Sequence, residues 1–233
     1  LCARDIQIGR GETIPDTTRT LARYVDGIMI RTYGQEIVEE MARFSTVPVI
    51  NALTDEHHPC QVMADLQTMR EKFHRLEGLK LAYVGDAANV ANSLLEGCSI
   101  IGIDISLACP KGYQPTDEMI AQAYKNAEKS GAKVVITESI EEAVKDADAL
   151  YTDIWVSMGK EEESKKRFED LKDYQINKEV LAMAKRDAIV MHCLPAHRGE
   201  EITDDVLEGP QSVVFDEAEN RLHAQKAIMA LIM

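Results

Sequence analysis

Apolar residues run almost without interruption at 27–31 (GIMIR), 47–53 (VPVINAL), 79–85 (LKLAYVG), 103–109 (IDISLAC), 132–137 (AKVVIT), 149–153 (ALYTD), 188–193 (AIVMHC) and 212–215 (SVVF). Strands covered on both faces have this pattern. Between them lie stretches with apolar positions at three-to-four spacing, as in TDEMIAQAYKNAEKSG, where Thr116 is placed to cap a helix and Gly131 to end it. The alternation predicts an α/β fold with doubly wound parallel sheets. The stretch QVMADLQTMREKFHRLEG reads as one long helix ending near Gly78, bridging a first sheet to a second. The closing EAENRLHAQKAIMALIM reads as an amphipathic helix. These divisions give domains at 1–76 and 77–215, followed by a C-terminal helix at 216–233.

In open parallel sheets ligands sit beyond the carboxyl ends of the strands. The predicted ends carry Arg31; the loop TDEHHPCQ with His57, His58 and Gln61; GDAAN with Asp86 and Asn89; Asp153 leading into IWVSMG; His192 and Cys193; and DEAENR with Arg221. Each has a bland reading beside a chemical one. Cys193 can fill a core or sit in a site. Asn89 can cap a helix or hold a carboxylate at the helix start. Asp153 ends an apolar run, so its charge needs water, a neighbouring Lys or Arg, or the amine of a substrate.

Charge and composition narrow the choices. With 26 Lys+Arg against 40 Asp+Glu the net charge is −14, and no basic patch offsets it, so no nucleic-acid partner is expected. No apolar run reaches the ~20 residues that cross a bilayer, so no membrane partner is expected either. Five unpaired, widely spaced cysteines suit a reducing compartment, and the chain reads as cytoplasmic. VGDAANVANSLL follows a strand and opens a helix, yet it lacks G-x-G-x-x-G, which argues against a nicotinamide cofactor. His57, His58, Cys60, His192 and Cys193 are zinc-ligand types, but neighbours on a strand face opposite ways, which would separate His192 from Cys193. No cofactor and no metal are called for. GKEEESKKRFED reads as a solvated, mobile segment.

Four stretches, HPCQ (58–61), DIWVSMG (153–159), HCLP (192–195) and FDEAENRLH (215–223), together resemble the ornithine carbamoyltransferase family, in order and at suitable separation. The likeness covers essentially the whole chain and is nearer to biosynthetic members. It implies transfer of a carbamoyl group from carbamoyl phosphate to the side-chain amine of L-ornithine, giving L-citrulline and phosphate. By motif match, Arg31 and His58 would polarise the carbonyl oxygen and assist phosphate departure. Gln61, Arg221 and the carbonyl of Leu194 would hold the carbamoyl nitrogen, with Cys193 also among the residues that bind carbamoyl phosphate. Asn89, Asp153, Ser157 and Met158 would grip ornithine, while Asp153 and Cys193 orient the attacking amine, with no covalent carbamoyl-cysteine.

The resemblance further implies a homotrimer, a first domain that binds carbamoyl phosphate, a second that binds ornithine, and a last helix returning to the first. The family's Ser-Thr-Arg-Thr phosphate loop has no counterpart before Arg31, and its Gly-Asn-Asn is replaced by Ala87, Ala88 and Asn89. The Thr-Thr-Arg-Thr within DTTRTLARY is a decoy, since Pro15 and Asp16 start a helix there. The expectation is a chain whose N-terminal portion is missing and whose first domain is incomplete. A non-catalytic amino-acid-binding remnant, or a carbamoyltransferase for a related amine, stand as alternatives.

Overall fold

The computed structural model describes residues 11–156 and 163–233. A short parallel pair, β1 (Ile28–Arg31) and β2 (Val49–Leu53), is flanked by α1 (Ile14–Leu21) and α2 (Gln35–Phe44). Helix α3 (Pro59–Phe73) leads to a five-stranded parallel sheet. Its strands are β3 (Lys80–Val84), β4 (Asp104–Ala108), β5 (Val134–Thr137), β6 (Ala149–Thr152) and β7 (Ile189–His192), in the order β5-β4-β3-β6-β7. Helices α4 (Asn89–Ile101), α5 (Asp117–Ser130), α6 (Ile140–Val144), α7 (Ser164–Leu171), α8 (Lys178–Met183) and α9 (Asp204–Leu207) connect them, and α10 (Val214–Ile232) closes the chain. The winding reverses between β3 and β6, which opens a crevice at their carboxyl ends.

The strands alternate between two cores. Leu81, Tyr83, Ile105, Leu107, Tyr151 and Met191 pack with Val62, Leu66 and Met69 of α3 and with Val90, Leu94 and Cys98 of α4. Ala82, Val84, Leu150 and Val190 face the other way, toward Val144 of α6, Val180 of α8 and Val206 of α9. Helix α3 therefore belongs to the core of the larger sheet while also following β2. Gly97 permits the α3–α4 approach, because a Cβ there would stand 2.8 Å from Val62 Cγ1. Thr116 accepts from Met119 N–H and Gly131 is left-handed at φ +82°, as the sequence suggested for α5.

Three expectations are corrected. Residues 212–215 form no strand: Ser212 makes a lone bridge to Val190, and helix α10 begins at Val214. The Val213 N–H still reaches Val190 O, so the apolar run pairs once and then turns to bury Val214 against the core. Helix α3 ends at Phe73, five residues before Gly78, because His74 takes a left-handed conformation and its N–H returns to Arg70 O. In the charged run at 159–170, expected to be solvated and mobile, residues 164–170 belong to helix α7, with Arg167 buried. Among the described residues no helix is long and apolar enough to cross a membrane.

Candidate active site

The loop after β2 is tied to α4 of the other sheet. Asn89 Nδ2 donates to Thr54 O (2.8 Å), Asn92 Nδ2 to Glu56 O (3.2 Å), and the His58 N–H to Ser93 Oγ (2.7 Å). Asn89 is the first residue of α4 rather than its cap, and its Oδ1 accepts the Val90 N–H. In this structure its side chain thus holds the His58 loop. The His58 ring is buried, and its Nδ1 has no hydrogen-bond partner among the described residues. Burial, then the charges of Arg221 and Arg31, lower its pKa from 6.5 to about 4. The imidazole is consequently neutral at physiological pH, with two guanidinium groups in its field.

Arg221 Nη1 donates to Gln61 Oε1. Gln61 Nε2 then donates to Asp65 Oδ1 at 2.8 Å and to Glu217 Oε1 at 3.0 Å. Glu217 also accepts the Tyr151 hydroxyl at 3.0 Å and the His192 N–H at 2.9 Å. One chain of hydrogen bonds therefore joins Arg221 on α10, Gln61 on α3 and the end of β7.

Cys193 comes immediately after. Its thiol donates to Asp153 Oδ1 at 3.0 Å, and the same oxygen accepts the Ile154 N–H at 2.8 Å. Burial, then the Asp153 charge, push the thiol pKa well up, so it is a neutral donor and no ready nucleophile. Leu194 is left-handed at φ 52°, which turns the chain sharply after Cys193.

That turn overrides the opposite-faces expectation for His192 and Cys193. Strand β7 stops at His192, and one ligand-type atom each of Asp153, His192 and Cys193 lie within 4.8 Å of one another. The histidine is nevertheless committed to protein partners. Its Nδ1 accepts the Leu194 N–H at 2.9 Å, which puts the proton on Nε2, 3.1 Å from the fully buried Glu201 carboxylate. Neither ring nitrogen is left for a metal.

Arg31, His58, Gln61, Arg221, Asp153, Cys193 and Leu194 thus stand at carboxyl ends of strands or on the helices packed beside them. Ser157 and Met158 lie outside the described residues. Four residues escaped the sequence reading: Asp65 and Glu217, Ser93, and Arg167. Arg167 bonds Asp86 and the Trp155 carbonyl (2.7 Å), pinning the segment that leaves β6 to the loop that leaves β3. Asp65 lies four residues after Gln61, on the same helix face, and that spacing was a usable signal. Elsewhere a cleft of about 410 Å³ is lined by Lys178, Lys185, Arg186 and Asp205, but by none of these site residues.

The chain is a doubly wound α/β protein in which a thiol and a carboxylate, Cys193 and Asp153, meet just past the carboxyl ends of β7 and β6, and a neutral imidazole, His58, lies in the field of Arg221 and Arg31. The family model described as aspartate/ornithine carbamoyltransferase, carbamoyl-P binding domain, matches residues 1–71, and its Asp/Orn binding domain matches 77–232. The chain belongs to the aspartate/ornithine carbamoyltransferase family. The ornithine carbamoyltransferase of Caldicellulosiruptor saccharolyticus is 55% identical over 232 residues, covering 100% of this chain and 75% of that protein. The solved ornithine carbamoyltransferase from Pyrococcus furiosus aligns with a TM-score of 0.95 at 52% identity, over 99% of this chain and 74% of that one. The anabolic enzyme from Campylobacter jejuni aligns with a TM-score of 0.93 at 39% identity, over 99% and 76%.

Proposed function

We propose that this chain transfers the carbamoyl group of carbamoyl phosphate to the side-chain amine of L-ornithine, giving L-citrulline and phosphate for arginine biosynthesis. The ornithine carbamoyltransferases similar to it support the reading. So does one structural observation: the hydrogen-bond chain from Arg221 through Gln61 and Glu217 to His192 ends next to the Cys193–Asp153 contact. That continuity supports reading a site for an anionic acyl donor and a site for an amine as one unit. Residues 1–76 would supply most of the first, 77–215 the second, with 216–233 returning Arg221 to the first.

In this reading Arg31 and His58 polarise the carbonyl oxygen, where negative charge gathers as the amine attacks, and Arg31 follows the charge onto departing phosphate. Neutral His58 acts as a hydrogen-bond donor, which leaves the positive charge to the arginines. Gln61, Arg221 and the Leu194 carbonyl hold the carbamoyl nitrogen. Asp153 binds the attacking amine, and Cys193 fixes the carboxylate by donating to it, so that the nitrogen lone pair points at the carbonyl carbon. Asn89, Ser157 and Met158 hold the amino-acid end of ornithine. Nothing in this scheme calls for a metal or cofactor.

The protein is read as a cytoplasmic homotrimer, for which light scattering should return three chain masses. Asp153→Asn should raise the ornithine KM by about tenfold or more, the scale of one charged hydrogen bond, and leave the carbamoyl-phosphate affinity within about twofold. An unchanged ornithine KM removes Asp153 from the amine site. Comparing ornithine with putrescine and N-acetylornithine separates this reading from a carbamoyltransferase for a related amine.

A further inference from the structure

Asp65 on α3 and Glu217 on α10 are both fully buried, and both accept from the single Gln61 amide nitrogen. Their surroundings are the Gln61 amide on α3, Tyr151 on β6, His192 and Cys193 at the end of β7, Cys98 on α4, and Arg221 on α10. Among the described residues Arg221 is hydrogen-bonded to Gln61 and to neither carboxyl group. The two carboxyl groups are also within hydrogen-bonding reach of each other, so two full negative charges here would repel directly, in a medium that screens them poorly. Glu217 already accepts three donors, whereas Asp65 Oδ2 is buried and accepts from no donor among the described residues. An acceptor oxygen without a donor, beside a carboxylate rich in donors, is the arrangement expected where the first oxygen carries a proton.

We propose that Asp65 and Glu217 share one proton, lodged on Asp65, and that the resulting single negative charge is the positioning device that aims Gln61. With Asp65 neutral and Glu217 ionised, the Gln61 amide turns its nitrogen to the carboxyl pair and its carbonyl oxygen to Arg221. The same ionised Glu217 holds the backbone N–H of His192, the residue before Cys193. Loss of the proton would put a second charge against Gln61 Nε2 and pull the amide away from Arg221. Burial and the facing carboxylate both raise the Asp65 pKa, and burial raises that of Glu217, in accord with this geometry. The positioning role rests on the reading of Gln61 and Arg221 as carbamoyl-phosphate ligands; the shared proton does not.

Infrared spectroscopy of the whole protein tests the proton without reference to activity. At neutral pH the wild type should show the carbonyl stretch of one buried protonated carboxyl, shifted in D2O, and Asp65→Asn should abolish it. Absence of the band in the wild type, or its survival in Asp65→Asn, overturns the proposal. Calorimetry with carbamoyl phosphate tests the positioning. Asp65→Asn keeps an N–H toward Glu217 and an oxygen toward Gln61, so its affinity at neutral pH should stay within about twofold, while Glu217→Gln should lose about tenfold or more.

As pH rises through the pair's raised pKa, the wild type should lose affinity that Asp65→Asn retains, a difference no purely structural role would produce. Equal pH profiles for the two proteins would refute the positioning role even with the band present. If the folded wild type binds no carbamoyl phosphate while the band behaves as stated, the reading of the site fails and the shared proton stands.

Discussion

Acidification isolates His58. Its imidazole has a pKa of about 4 in the folded chain against 6.5 when free, through burial first and then the charges of Arg221 and Arg31. As pH falls below 6.5 the unfolded chain takes up a proton that the folded chain refuses until about 4. The neutral ring therefore contributes stability that is complete above the unfolded pKa and is lost as pH falls through the folded one. Linkage across that gap gives a loss of about 2 kcal/mol between about pH 7 and about pH 5, approaching about 3 kcal/mol in more acid solution. Urea denaturation at stepped pH, run on the wild type and His58→Asn, reads this term directly, because carboxylates elsewhere titrate alike in both and cancel in the difference. The wild-type advantage should shrink by about 2 kcal/mol over that interval. Parallel stability curves would mean that His58 protonates freely in the fold and that the guanidinium groups do not act on it.

Cys193→Ala should cost about 1 kcal/mol of stability, the worth of one hydrogen bond, while slowing citrulline formation by about tenfold or more through loss of the aligned carboxylate; unchanged turnover with saturating substrates would return the thiol to packing. Arg167→Met should destabilise by about 3–5 kcal/mol in denaturant titration, since it takes the guanidinium out of the nearly enclosed Arg167–Asp86 ion pair; a loss below about 1 kcal/mol would show that the pair contributes little to stability. Thr116→Ala should cost about 1 kcal/mol by removing the α5 cap and leave both substrate affinities unchanged.

Where local chemistry and tertiary packing agreed, the chain was legible. The runs at 79–85, 103–109 and 188–193 had to be covered on both faces, and they became β3, β4 and β7. Thr116 and Gly131 bounded α5 because capping is decided within one turn. The run at 212–215 misled because Val213 and Val214 are β-branched, whereas the covering surface for Val214 exists only after the chain turns into α10. Arg167 was hidden in a charged stretch, since its burial depends on Asp86 and the Trp155 carbonyl, distant in sequence. The places of Arg31, Asp153 and Cys193 in the fold were legible because each lies at or just past the carboxyl end of an apolar run, and these runs became β1, β6 and β7. Asp65 and Glu217 lie inside helices instead, and only the folded packing of α10 along α3 brings them together.

If Arg31, His58, Gln61 and Arg221 serve the same reaction as Asp153 and Cys193, the purified protein must join both substrates. The direct measurement is product formation by the purified protein given carbamoyl phosphate and L-ornithine, with L-aspartate, putrescine and N-acetylornithine offered in parallel. Citrulline and phosphate should form in equal amounts, with ornithine preferred over every other amine. Folded protein that binds both substrates yet forms no citrulline, or that carbamoylates another of these amines faster, would contradict that expectation.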